Sequence, residues 1–451
     1  MKSHKWIIAA ASALCIAVSL PLSALAQGPG GNPPSGGSGG GPGGSASDVT
    51  YTAATEITSA ASLEDGVYLS DSADENAILV DTDEEVTLTN PNVTKAGDSD
   101  GGDSCNFYGL NAAVLAKGGT TLTISGGTIT SDASGANGVF SYGGNGGQNG
   151  AAGDGTTVNI SDTVITTSGD GSGGIMTTGG GITNASNLTV TTSGRSSAAI
   201  RTDRGGGTVN VDGGTYTSNG LGSPVIYSTA AITVQNATLV SNLSEGVCIE
   251  GMNTITLTDC DLTANNTQCN GNATFLDTIM IYQSMSGDAD SGTSAFTMTG
   301  GSLTSKSGHV FHVTNTHAVI TLNGVQIVNE DSDKVLLSVC DDGWNGAENN
   351  AELYANAQSL SGTILVGSNS KLTLTLSDGS AFTGSISGEI TNSKGTAISS
   401  EVGTVNVTLD ETSTWTLTAD TYITGFEGNA EQIISNGYTL YVNGVALTGT
   451  K

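Results

Sequence analysis

A short phrase recurs along this chain, and few folds can accommodate it. Thr121-Leu-Thr-Ile124-Ser-Gly-Gly-Thr-Ile-Thr130 returns as Thr157-Val-Asn-Ile160-Ser-Asp-Thr-Val-Ile-Thr166 and as Thr208-Val-Asn-Val211-Asp-Gly-Gly-Thr-Tyr-Thr217. Each copy is a pair of short β-branched strands around a turn of Gly-Gly or two polar residues. With Ile124, Ile160, Val190, Val211, Val234, Leu257, Met298 and Leu322 as anchors, the spacings are 36, 30, 21, 23, 23, 41 and 24 residues. Four of the seven match one coil of a parallel β-solenoid, and the longer ones read as coils carrying loops. The expected fold is therefore all-β, a single-stranded right-handed parallel β-helix closed by a C-terminal cap.

Composition agrees. The 451 residues include 66 glycines and only 12% charged side chains, with no sustained helical period beyond the first segment. A solenoid lengthens by adding rungs, so one continuous domain is expected despite the length.

Residues 1–26 read as an export signal, with Lys2 and Lys5, an apolar run from Trp6 to Leu20, and Ala24-Leu25-Ala26 before a cleavage at Gln27. A Gly-, Pro- and Ser-rich linker follows over 27–47. The β-helix is expected over 48–340, with its continuation and cap over 341–451. Secretion or display at the cell surface follows from this layout. Removing two lysines with the signal takes the net charge from −30 to −32, which disfavours nucleic acid and anionic membranes as partners. Five cysteines remain after cleavage, and Cys260 and Cys269, at the ends of one inserted loop, form the expected disulfide.

Alternation of apolar residues with Thr, Asn or Ser puts one side chain in two inside the solenoid. A second strand recurs near 15 residues after the anchor, as at Val139-Phe140, Ile226 and Phe311-Val313. That offset predicts that insertions fall at one corner only, where repeat proteins carry their binding loops. Reading one residue outward gives a column of Ser141, Met176, Arg201, Tyr227, Glu250, Tyr282 and His312, about 4.8 Å per rung. The register assumes that the 41 residues before Met298 are a loop and not an extra coil. Two tyrosines, an arginine, a glutamate and a histidine on one exposed ladder have the chemistry of a sugar-binding face; the same column also reads as an ordinary solvated sheet.

Asp98-Ser-Asp100-Gly-Gly-Asp103 places three carboxylates on a flexible turn, a spacing that suits calcium. A calcium-dependent polysaccharide lyase is the alternative function: it needs a basic group beside a sugar carboxylate, and Arg201 and Arg204, with Asp203 between them, are the candidates. Asp203 also reads as their structural counter-ion. His309 and His312, three apart on a strand, are expected on opposite faces. Polygalacturonase-type motifs are missing or out of order, and no Gly-x-Ser-x-Gly or His-Glu-x-x-His occurs.

The stretches Gly109 to Leu115, Gly138 to Gly144, Ser197 to Gly207 and Ile281 to Asp288, with Ser413-Thr-Trp-Thr-Leu417 and Asn436 to Gly444 near the end, resemble secreted adhesin-like, pectin-lyase-like β-helix proteins of bacteria and archaea. The resemblance implies a right-handed parallel β-helix and a surface protein that binds a polysaccharide or surface glycan without chemistry. A purely structural surface protein remains a third reading. Trp344 and Trp415 are expected to be packing residues of the cap.

Overall fold

The computed structural model describes residues 49–344 and 349–451. The expected signal peptide and linker lie outside the described residues. The chain winds as a right-handed parallel β-helix whose walls are three long parallel sheets. The first has thirteen strands, from Thr52–Ile57 to Ile386–Ser387; the second fourteen, from Ala61–Glu64 to Gly425–Glu427; the third ten, from Val67–Ser70 to Gln326–Asn329.

Register explains the repeat. Along the second sheet Leu88, Ile124, Ile160, Ala185, Val211, Val234, Leu257, Met298 and Leu322 stack rung upon rung and point into the core. Ala185, not Val190, is the anchor of its coil; Val190 belongs to the third sheet. The repeat was misread there because Ala185 is too small to stand out in the apolar alternation. Leu257 pairs directly with Met298, so the 41-residue spacing is a loop, as the sequence reading assumed. Each Ile, Val or Leu in these stacks contributes about 1.5–3 kcal/mol by leaving water, and the strands exist because that burial repeats every second residue.

The turn from the second to the third sheet repeats a single backbone device. Its first residue is left-handed in coil after coil: Asn90, Gly126, Asp162, Asn187, Gly213, Asn236, Asp259, Gly300 and Gly324 all have φ between 48° and 73°. Gly, Asn and Asp tolerate that region best. Ala357 occupies the same place with φ 49° and neither advantage.

Past the third sheet the coil continues on a four-stranded sheet made by Ser359–Ser361, Ala381–Gly384, Thr414–Leu417 and Ile433–Ile434. Trp415 is fully buried there, stacked on Phe382 and donating its indole N–H to the Gly384 carbonyl at 3.0 Å. The antiparallel pair Leu440–Val442 and Val445–Ala446 ends the stack.

Loops enter at both corners that flank the first sheet, not at one. Residues 143–156 and 283–292 leave after its strands; residues 96–113, which contain the short helix Asp103–Tyr108, and 265–276 precede them. Loops from two sides fold over the middle of the sheet, whose strands there are buried on both faces: Val139–Tyr142, Ile175–Thr178 and Val247–Glu250 are buried throughout.

Candidate functional site: a covered polar sheet and an open one

The outward column of the first sheet differs from the sequence reading in register and in exposure. Phe140, Met176, Arg201, Tyr227, Cys248, Met280, His312 and Ser338 are the residues that stack. Ser141 lies one residue off it, and Glu250 and Tyr282 pair with each other one step along the same face. The error came from aligning short strands by residue type. None of the proposed ligand residues faces solvent: Arg201, Tyr227, Glu250, Tyr282 and His312 are at most 3% exposed.

Inserted loops supply the cover and hold these side chains through polar contacts. Arg201 donates to Asp203 at 2.6 Å, to Asn106 of the short helix at 3.2 Å and to the Ser196 carbonyl at 3.1 Å, with its guanidinium over the Tyr227 ring. Arg204 binds Asp288 of the 283–292 loop at 2.5 Å and lies 4.4 Å from the centre of the Phe107 ring. Burial pushes the Asp203 carboxyl up, against the pull of Arg201. Both arginines are therefore engaged in ion pairs, and each also holds the cover, Arg201 through Asn106 and Arg204 through Asp288. An arginine that removes a proton from a sugar must be free to reach it, and this arrangement gives the lyase reading no support.

Glu250 is the second fastening. Tyr227 and Tyr282 donate to its Oε2 at 2.5 and 2.9 Å, while Ser284 and Ser286 of the 283–292 loop donate to its Oε1, the latter at 3.1 Å. Burial raises its pKa, and the hydroxyl donors oppose that shift. Trp344 packs on Tyr282, 5.0 Å between ring centres, in the cover of the first sheet and not in the cap where it was expected.

Further along, His309 and His312 both bring Nδ1 to 2.7 Å from the Ser338 hydroxyl, and Phe275 lies against both rings. The two histidines share a side because His309 is the first residue of its strand, where alternation is not yet established. His312 Nε2 lies 3.4 Å from Asp342, which also accepts from the Thr274 backbone and hydroxyl. This Ser338, His312, Asp342 series is sealed: Ser338 and His312 are fully buried. Sequence reasoning missed it because Ser338 and Asp342 meet His312 only across coils.

The carboxylates proposed for calcium separate. Asp98 and Asp100 are exposed, and Asp98 accepts from the Ser134 N–H at 2.8 Å. Asp103 instead opens the short helix within electrostatic reach of Arg204, with its pKa raised by burial. Among the described residues, no three His, Cys, Asp or Glu side chains gather as metal ligands. Cys260 and Cys269 are not bridged: all five described cysteines are free thiols, and Cys260 Sγ is buried against backbone carbonyls.

The second sheet is open where the first is covered. Its outward column runs Thr87, Thr123, Asn159, Asn184, Asn210, Thr233, Thr256, Thr297 and Thr321. Asn210 donates to Asn184 and Asn184 to Asn159, each at 2.9 Å. Around them lies a shallow groove of about 450 Å³, also lined by Ser161, Ser186, Asp212 and Gln235. Asp212 is its only ionisable group. The sequence carried this column in its repeated Thr-x-Asn and Thr-x-Thr strands, but nothing local distinguished it from the covered one.

No family model, curated protein or solved structure matches the chain.

Proposed function

We propose that the chain is a non-catalytic carbohydrate-binding solenoid, exported to the cell surface or the medium, that presents its second sheet to an extended polysaccharide or surface glycan. The observation that carries the reading is the open column through Asn159, Asn184 and Asn210. Within the ladder Asn184 uses one N–H and one acceptor lone pair, Asn210 one N–H and Asn159 one lone pair, so every amide keeps N–H groups and lone pairs for hydroxyls. Rungs about 4.8 Å apart repeat that offer along the solenoid, which suits a polymer better than a small ligand. With Asp212 the only charge in the groove, neutral glycans are favoured over acidic ones.

The test is retention of the chain on neutral and acidic polysaccharides, followed together with the absorbance of unsaturated products. Retention on a neutral polymer that falls at least tenfold in the triple variant Asn159→Ala, Asn184→Ala, Asn210→Ala supports the reading. Product formation would return attention to a lyase. Retention on no polymer at all would leave a structural surface protein.

A further inference from the structure

Glu245 and Asp277 form a second acidic feature, where two strands of the first sheet begin. Glu245 sits just before the strand Val247–Glu250, and Asp277 opens the strand Asp277–Tyr282. The pairing of Val247 with Ile279, followed back two residues, sets the two carboxyls opposite each other on adjacent rungs. The Gly246 N–H bonded to the Thr278 carbonyl at 2.8 Å fixes the same register. Both residues are 1% exposed, and among the described residues neither meets a lysine, arginine or histidine in an ion pair.

Two stacked carboxylates without a counter-charge cost several kcal/mol in a dry interior. The polar atoms around them define what is missing. Asn266 donates from Nδ2 to the Asp277 carbonyl at 3.2 Å, and its side chain also bonds Glu245. Yet Asn266 Oδ1 and Asp277 Oδ1 are buried with no partner. Both are acceptor oxygens with lone pairs to give. The missing partner is therefore an electron-pair acceptor.

We infer that Glu245, Asp277 and Asn266 hold one hard divalent cation of the calcium class in the wall of the solenoid. Two carboxylates balance its charge, and the side-chain amide oxygen of Asn266 is a ligand such a cation accepts. The site is distinct from the Asp98 turn and does not depend on the glycan reading. The 265–276 loop closes over it: Thr274 is bonded to Asp342 through both backbone and hydroxyl, and its carbonyl accepts from the Ser393 N–H at 3.0 Å. Exchange of the ion is accordingly slow and requires that loop to open.

The experiment uses the full chain purified with calcium, passed through a desalting column and assayed for bound metal. Its melting temperature is then followed in calcium and after prolonged chelation at pH 7.5. The expected result is about one calcium per chain and a melting temperature that rises with calcium as mass action requires. The double variant Glu245→Gln, Asp277→Asn should carry no ion and show no calcium-dependent shift, whatever its own stability. Retention of the ion by that variant would overturn the site. So would a wild-type chain that carries no metal and is insensitive to calcium, gaining stability only on acidification; that is the behaviour of a pair discharged by protons. Should the variant fail to fold, the wild-type measurements alone decide.

Discussion

Tyr227 and Glu250 lie on neighbouring strands of the first sheet, and the phenol donates to the carboxylate at 2.5 Å with both side chains out of reach of solvent. Tyr282 and two serines of the 283–292 loop share that acceptor. One buried carboxyl therefore ties three strands, its own included, to the loop that covers them.

Removing the acceptor should cost more than removing one donor. Tyr227→Phe is expected to lower stability by about 1 kcal/mol, the net worth of one hydrogen bond. Glu250→Ala strands four hydroxyls and should cost about 3 kcal/mol or more. Urea unfolding of the two variants measures the difference, and equal losses would mean that Glu250 does not organise the contacts.

Arg201→Ala should damage the fold and spare binding. It leaves Asp203 buried without its partner, a change that costs about 3–5 kcal/mol. Retention on any polysaccharide the wild-type chain binds should stay within twofold at a temperature where the variant is folded. A variant of normal stability that no longer binds would restore Arg201 as a ligand residue.

Ala357 offers a stabilising change. Its φ of 49° falls where an L-residue other than Asn or Asp is strained by about 1–2 kcal/mol. Ala357→Asn, which copies Asn90, Asn187 and Asn236 at the equivalent turn, should raise stability by about 1 kcal/mol. A lower melting temperature would show that the turn is relaxed as it stands.

His309 should make the chain sensitive to acid. Burial, then the neighbouring His312, lowers its pKa from 6.5 to about 3, with Asp331 and Asp342 pulling the other way. Below pH 6.5 the unfolded chain takes up a proton that the folded chain refuses, so the stability this group contributes is full above 6.5 and is lost as pH falls towards 3. The melting temperature of His309→Gln should therefore gain on that of the wild type between pH 6.5 and 4. A constant gap between the two curves would show that His309 titrates normally.

Thiol chemistry checks the absence of the expected bridge. Cys105, Cys248, Cys260 and Cys340 are buried, and burial raises the pKa of each, so they should resist a thiol reagent in the native chain. All five described cysteines should react after denaturation. Recovery of only three would restore the Cys260 to Cys269 disulfide.

The coil was legible because its causes are local. Alternation of Ile, Val and Leu with Thr and Asn fixes which side chains turn inward, and a left-handed Gly, Asn or Asp opens each turn into the third sheet. Both patterns lie within ten residues of one another in the sequence. Only at Ala185, where the inward residue is small, did the pattern point to the wrong strand.

The same alternation states that Arg201, Tyr227 and His312 point away from the core, and so they do. Whether outward means exposed was decided by tertiary structure. Asn106, Asp288 and Thr274 reach the first sheet from separate loops, far from the side chains or neighbouring loops they hold down, and no local period records where those loops settle. The sequence by itself determined the solenoid and its inward face, because strand alternation is a property of adjacent residues. Tertiary structure alone decided that one outward face is covered and another open, because cover depends on contacts between distant coils.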